Sequence, residues 1–342
     1  MPSFRSGTVA EILVERDGLQ RVTVDMGEGP ERAYVLTALT PPVAAGDRVV
    51  VNTTAVELGL GTGGWHVVHW NLSQAAWSAP GPGHIMKMRY TSLQADVGAA
   101  EEGRPDLPSS LEGTPVVACC LHSQVGVVAA VLHHLRPFTR LGYVMTDGAA
   151  LPLALSDLVA TLVERGTIAT TVTAGHAFGG QYEAVSLPSA LAVARHLGGA
   201  EIVIVGMGPG VVGTGSALGT TSVEVSTILD TTAALGGRPV LCARASDGDA
   251  RPRHQGISHH TTTALELVRT PQTVPLPLGR SDLAVLSPHE AIEVAVPDVR
   301  SVLDAADLRI TTMGRDIEAD PLFFEVAAAA AVRASYLLGP HR

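Results

Sequence analysis

The chain has 342 residues, 46 % of them apolar, and carries 23 Lys+Arg against 33 Asp+Glu, a formal net charge of -10. That length suits two domains of about 100–200 residues, and the acidic balance excludes general attraction to nucleic acid or to an anionic membrane surface. Three cysteines, two of them the adjacent Cys119 and Cys120, make no disulfide framework and suit a reducing cytosol.

The longest apolar stretch, residues 116–135, is interrupted by His122, Ser123, Gln124, His133 and His134. A spanning helix needs about 20 predominantly apolar residues, so none is expected there. No apolar run of the secretory kind follows residues 1–5. The expected setting is cytoplasmic, and the expected form is globular. Lys87 is the one lysine beside 22 arginines. A coding bias explains most of that, but a surviving lysine marks a place where a planar guanidinium would not fit.

Residues 8–15, 21–26, 32–39, 47–56 and 65–72 alternate in the manner of short strands, separated by Gly, Pro and Asp-Gly turn chemistry. Five such strands predict a small closed β-barrel over residues 1–72, of the Greek-key kind. Residues 73–112 read as a linker, rich in Pro and Gly, with one further strand at 84–92. From residue 113 to the end the pattern is strand, turn, helix, repeated. Strands are predicted at 115–121, 141–145, 167–173, 201–205, 239–243 and 308–312. Helices are predicted at 125–135, 152–165, 188–197, 220–235, 259–268 and 321–338. Continuous apolar runs such as Ile202-Val203-Ile204-Val205 mark strands buried on both faces. The expectation is an α/β protein: a small barrel, then a mostly parallel sheet covered by helices, a Rossmann-like α/β sandwich.

In a parallel sheet, ligands bind beyond the carboxyl ends of the strands. The segments that follow the predicted strands gather the polar and Gly-rich residues: Asp147 after one strand, Gly208, Gly210, Gly213, Thr214 and Gly215 after another, and Arg315 near the end. Met207 to Gly215 contains G-x-G-x-x-G directly after a strand, which brings backbone N–H groups toward an anion. It departs from the dinucleotide fingerprint because glycines continue to Gly219 and no acid follows at the end of the next strand. NAD or FAD is therefore not expected, and the sequence leaves any other cofactor unknown.

The densest stretch runs from Arg244 to Thr261. His254, His259 and His260 fall within seven residues, beside Arg251 and Arg253. Ser258 suits the N-cap of the following helix, whose dipole would favour an anion near His259 and His260. Adjacent histidines on a regular helix diverge by about 100°, and the arginines repel a cation. An anion is therefore expected here and no metal. The Gly-rich loop together with Arg253-His254 and Gly256-Ile257-Ser258-His259-His260-Thr261 resembles a bacterial, largely actinobacterial, protein family of unknown function. That resemblance implies that these residues act with the barrel as one unit and supplies no activity.

Other candidates carry less. Cys119 and Cys120 lie inside a predicted strand and read as core thiols. Ser123 lacks a G-x-S-x-G elbow, and no Walker A, HExxH or CxxC is present. Asp147 suits an acid, a base or an ordinary turn. The expected function is an enzyme, or a protein derived from one, that binds a small phosphate- or carboxylate-bearing molecule at the strand-end rim. Gly208, Gly210, Gly213, Thr214, Gly215, Arg251, Arg253, Ser258, Arg315 and Lys87 would hold it, and His254, His259, His260 and Asp147 would move protons. The alternative is a non-catalytic sensor that presents the barrel to a protein partner. A homodimer is compatible with the sequence. Residues 1–72 hold five arginines and eight acids, which argues against a nucleic-acid module.

Overall fold

The computed structural model describes residues 1–149, 151–280, 282, 283, 285 and 287–339. Two compact units emerge, one of residues 1–98 with 152–155 and the other of 99–151 with 156 onward. Residues 73–112 are thus divided between them.

The first unit is built on five strands, β1 (Phe4–Arg16), β2 (Leu19–Asp25), β3 (Pro30–Val35), β4 (Arg48–Asn52) and β5 (His66–Asn71), with a one-turn helix α1 (Thr54–Glu57) between the last two. They close into a barrel in the order β1-β2-β3-β5-β4. The β3–β5 pair is parallel and the others antiparallel. This is the five-stranded Greek-key arrangement of OB-type barrels. Closure depends on β1, which pairs with β4 through its first residues and with β2 through the rest. The change of partner falls beside Gly7, where a Cβ would lie 2.6 Å from Val24 Cγ1. Inside are Val9, Val22, Val24, Ala33, Val35, Val43, Val49, Val51 and Val68, β-branched side chains that suit a pleated surface. The short β3–β5 ladder is reinforced outside by Tyr34 and Trp65, stacked at 4.9 Å, with the Arg32 guanidinium 5.0 Å from the Trp65 ring.

The strand expected at 84–92 shrinks to β6 (Met86–Lys87), paired with β7 (Ala95–Asp96). Positive φ at Met88 and Tyr90 stops it. Residues 54–56, expected to continue β4, turn instead into α1.

In the second unit the chain runs β8 (Pro115–Cys119), α2 (His122–Leu135), β9 (Leu141–Thr146), α3 (Asp157–Glu164), β10 (Thr170–Ala174), β11 (Tyr182–Ala184), α4 (Leu187–His196), β12 (Ile202–Met207), α5 (Glu224–Ala234) and β13 (Arg238–Cys242). The six strands form one sheet in the order β11-β10-β9-β12-β8-β13, every pair parallel. There follow a small hairpin, β14 (Ala245–Ser246) with β15 (Gly256–Ile257), then α6 (His259–Leu267), a separate parallel pair, β16 (Thr273–Pro277) with β17 (Glu290–Val294), α7 (Val299–Ala305) and α8 (Pro321–Leu338).

The connections out of β8 and β9 step one way across the sheet, and those out of β11 and β12 step the other way. Right-handed crossovers then place their helices on opposite faces. Packing agrees: α2 meets α3, α7 and α8, whereas α5 meets α4 and α6. The order of connections reverses between β9 and β12, the switch point at which doubly wound sheets open a crevice. By length and composition α8 could cross a membrane, but 67 % of it is buried, against α2, β8, β13 and β16. It is a core helix of this unit.

The strand expected at 308–312 is absent. Leu308 and Ile310 are buried in alternation with Arg309 and Thr311, which imitates a strand, but this extended segment lays Ile310 against Gly126 of α2 and joins no ladder.

Candidate functional site

Since all six strands run one way, the loops after β8, β9, β12 and β13 share one rim. The loop after β12 forms an exposed hairpin. Thr221 N–H donates to the Val212 carbonyl at 3.0 Å, and Thr214 N–H donates to the Gly219 carbonyl at 2.7 Å. Gly210 and Gly215 take positive φ, and Gly213 does not. The Thr214 hydroxyl lies 2.9 Å from Ser216 Oγ. Thr214 thus helps hold the hairpin together and stays exposed on it. Gly208 sits against Met145, where a Cβ would be 3.1 Å from Sδ. The helix α5 opens only at Glu224, preceded by a 3-10 turn at Thr221–Val223, so the loop does not run straight into a helix as a dinucleotide fingerprint would.

This hairpin meets the histidine stretch: a Cβ on Gly213 would lie 3.4 Å from His260 Nε2. Ser258 caps α6, its oxygen accepting from His260 N–H at 3.3 Å and lying 2.7 Å from His254 Nδ1. It is fully buried, and its hydroxyl serves the helix and His254. The rings of His254, His259 and His260 lie 4.3 to 5.0 Å apart between centroids. One ring nitrogen from each falls within 4.8 Å of the others. The expected divergence of His259 from His260 therefore does not occur. His259 is the first helical residue after an extended Ser258, where no preceding turn fixes its direction.

The tautomer of one ring follows from its neighbour. Arg244 NH1 lies 3.2 Å from His260 Nδ1, and a guanidinium only donates. Nδ1 therefore accepts, and the proton sits on Nε2, facing the space in front of Gly213. His259 Nε2 is buried without a partner among the described residues. Burial first, and then the nearby arginine charges, push His254 down to about 3 and His260 to about 4, and lower His259 as well. All three are neutral at pH 7.

Of the expected arginines, most are engaged by carboxylates. Arg251 grips the buried Asp249 through Nε and NH2 at 2.8 and 2.7 Å. Arg315 donates to Asp249 at 3.1 Å and to Asp320 at 3.0 Å. These guanidiniums hold the Asp249 carboxyl well below the usual carboxylate range, the Arg251 hydrogen bond acting most strongly. Arg251 and Arg315 thus frame the buried Asp249 and Asp320 carboxylates. Arg253 is exposed and forms no ion pair among the described residues, and its charge bears on His259 and His260. Arg244 and Asp249 were not singled out from sequence; both lie in the dense stretch and are buried.

Asp147 is exposed at the end of β9 and accepts from His176 N–H at 3.3 Å. Beside it stands Glu224, a residue that sequence reading missed. Its Oε1 accepts from the Thr146 hydroxyl at 2.8 Å, and burial, reinforced by Asp147, raises the carboxyl to about 7. Its one sequence signal, Thr221-x-x-Glu224, resembles an ordinary helix cap. Lys87 is buried in the β6–β7 hairpin of the first unit. His122 and Ser156 imitate a catalytic dyad at 2.7 Å, but Ser156 is buried as the cap of α3 and His122 Nδ1 is backed by the Met207 carbonyl, not a carboxylate. A cleft of about 720 Å³ opens at the opposite, amino-end rim, lined by Arg136, Arg195 and Arg238 among others. Arg136 and Arg238 donate to the carbonyls of Ser335, Leu337 and Gly339 at the end of α8, which complements that helix terminus.

A small β-barrel and a doubly wound α/β unit with a polar strand-end rim define the class of protein. The model of a protein family of unknown function, DUF3866, matches residues 32–331, and the chain belongs to that family. No curated protein matches it.

Proposed function

We propose that this protein binds a small phosphate- or carboxylate-bearing molecule at the strand-end rim, between the Gly-rich hairpin and the start of α6. The observation that carries this reading is His260 Nε2, the ring nitrogen that Arg244 leaves to hold the proton, 3.4 Å from where a Gly213 Cβ would stand. Arg253 supplies a charge with no ion-pair partner among the described residues, and the α6 N-terminus adds roughly half a positive charge. A metal ion is the second reading, favoured by the convergence of the three rings. Against it, His260 presents a proton where a ligand lone pair is needed, and the arginines repel a cation. The three free cysteines suit a cytoplasmic setting.

Sulfate is a suitable probe because its charge stays constant from pH 8 to pH 5. Neutral histidines make its affinity flat down to about pH 6. It then rises as binding draws a proton onto His259, whose Nε2 has no partner among the described residues. Zinc would show the opposite sign, with affinity falling on acidification. Calorimetry of the full chain with both ions decides; tight stoichiometric zinc with no sulfate binding would replace the anion reading by the metal one.

A further inference from the structure

We propose that Glu224 is the proton-transfer residue of this rim, accepting a proton from the bound ligand and returning it, in the crevice between β9 and β12. This rests on the anion-binding reading above and makes the protein an enzyme instead of a sensor.

Position comes first. Glu224 opens α5 directly above the switch point, the place where doubly wound sheets receive their ligands. Orientation comes second. The Thr146 hydroxyl at the end of β9 donates to Oε1 at 2.8 Å, and the backbone of Met207 at the end of β12 also hydrogen-bonds the carboxyl. Groups from both strands that border the crevice thereby fix one side chain. Access comes third. Glu224 is partly exposed, Thr146 takes up Oε1, and Oε2 lies against Gly148, where a Cβ would come within 3.3 Å. Proton transfer is assigned to Oε2.

The titratable groups that bear on Glu224 are Asp147, from the loop after β9, and Tyr143, within β9. Efficient proton transfer needs a group that ionises near the working pH. The raised Glu224 carboxyl meets that condition, at about 7. The histidines at and just before the start of α6, which packs on the Thr221–Val223 turn just before Glu224, are driven toward 3 and 4 and do not. The role expected of His254, His259 and His260 therefore passes to Glu224, and they remain hydrogen-bonding groups for the anion. In the step itself an X–H bond of the ligand breaks and its electron pair stays on the ligand. The proton rests on Oε2 until it returns to the ligand or to water. Nothing is oxidised or reduced.

The test uses the full chain incubated in D2O with a small-molecule extract of the cells that produce it, followed by mass spectrometry. Wild type is expected to alter a small set of anionic compounds and to leave deuterium in the products. Glu224→Gln should lower that conversion at least 100-fold while keeping wild-type sulfate affinity. The wild-type rate should fall to half near pH 7 on acidification. Thr146→Val should move that half-point upward, because a hydrogen bond to the carboxylate is lost, and Asp147→Asn should move it downward, because a like charge is lost. Conversion by Glu224→Gln at the wild-type rate overturns the proposal, and so does a wild-type protein that alters nothing. Sulfate binding separates this from the parent reading: binding abolished by Arg253→Ala but intact in Glu224→Gln upholds the anion site whatever becomes of Glu224.

Discussion

Gly213 is where the identity of one residue decides most. Its φ is not positive, so the backbone accepts a side chain without the strain that glycine relieves elsewhere. What a side chain would occupy is the space before His260 Nε2. Gly213→Val is therefore expected to keep the wild-type circular dichroism spectrum and urea midpoint and to lose sulfate binding in calorimetry. Lys87 poses a different question. It is buried in the first unit, so Lys87→Arg must fit a larger planar head into occupied space. Overpacking of that kind costs about 1–3 kcal/mol, to be read as a lower urea midpoint. The neutral histidines have a cost in acid. His122, His254 and His260 have folded values of about 4, 3 and 4, against about 6.5 unfolded. Below pH 6.5 the unfolded chain binds protons that the native chain refuses. Stability is then lost by about 1.4 kcal/mol per pH unit for each such histidine until its folded value is reached. Urea midpoints that stay constant from pH 7 to pH 5 would contradict these environments.

Among the elements, the hairpin β14–β15 and the start of α8 are joined by ions. Asp320, fully buried, accepts from Ser246 Oγ at 2.6 Å, from Asp247 N–H at 3.1 Å and from Arg315 Nε at 3.0 Å. Removing one partner of such a buried set costs about 3–5 kcal/mol. Asp320→Ala is expected to lower the unfolding midpoint accordingly and to loosen the frame on which Arg251 and Asp249 sit, seen as weaker sulfate binding. The barrel shares its strand order with proteins that bind oligonucleotides, but topology alone does not carry function. Its outer aromatic pair is already stacked, Tyr34 on Trp65, with Arg32 over the indole, and residues 1–72 carry more acids than arginines. Fluorescence anisotropy with a single-stranded oligonucleotide at 0.1 M salt should show no binding by the full chain. Micromolar, salt-sensitive binding would show that this stack opens.

Across the whole molecule, a net charge of -10 coexists with three arginines, Arg244, Arg251 and Arg253, in the stretch before α6. Only a local concentration of positive charge can attract an anion to so acidic a chain. A ligand present at 100 times its Kd should stabilise the native state by about 2.7 kcal/mol. Thermal unfolding of wild type, followed with increasing sulfate, should shift upward, and the shift should vanish in Gly213→Val.

Much of this architecture follows from local pattern. Alternating Val, Thr and Ile with Gly and Asp turns marks the barrel strands, because a half-buried strand has a period of two. The unbroken apolar runs of β8 and β12 mark a parallel sheet, because both faces are covered. Direction alone then places Gly213, His260 and Asp147 at one rim. Three things depended on tertiary structure. Residues 308–312 have a strand's alternation and no strand to pair with, because Ile310 packs on α2. His259 and His260 turn toward one another because the first helical residue escapes the regular period. Glu224 becomes a neutral-range carboxyl only because folding buries it and sets Asp147, 77 residues earlier in sequence, beside it, against the hydrogen bonds that favour its charged form. Periodicity and turn chemistry are short-range properties and are written in neighbouring residues. The ionisation and tautomer of a side chain depend on groups brought beside it from distant parts of the chain, and only the folded arrangement decides them.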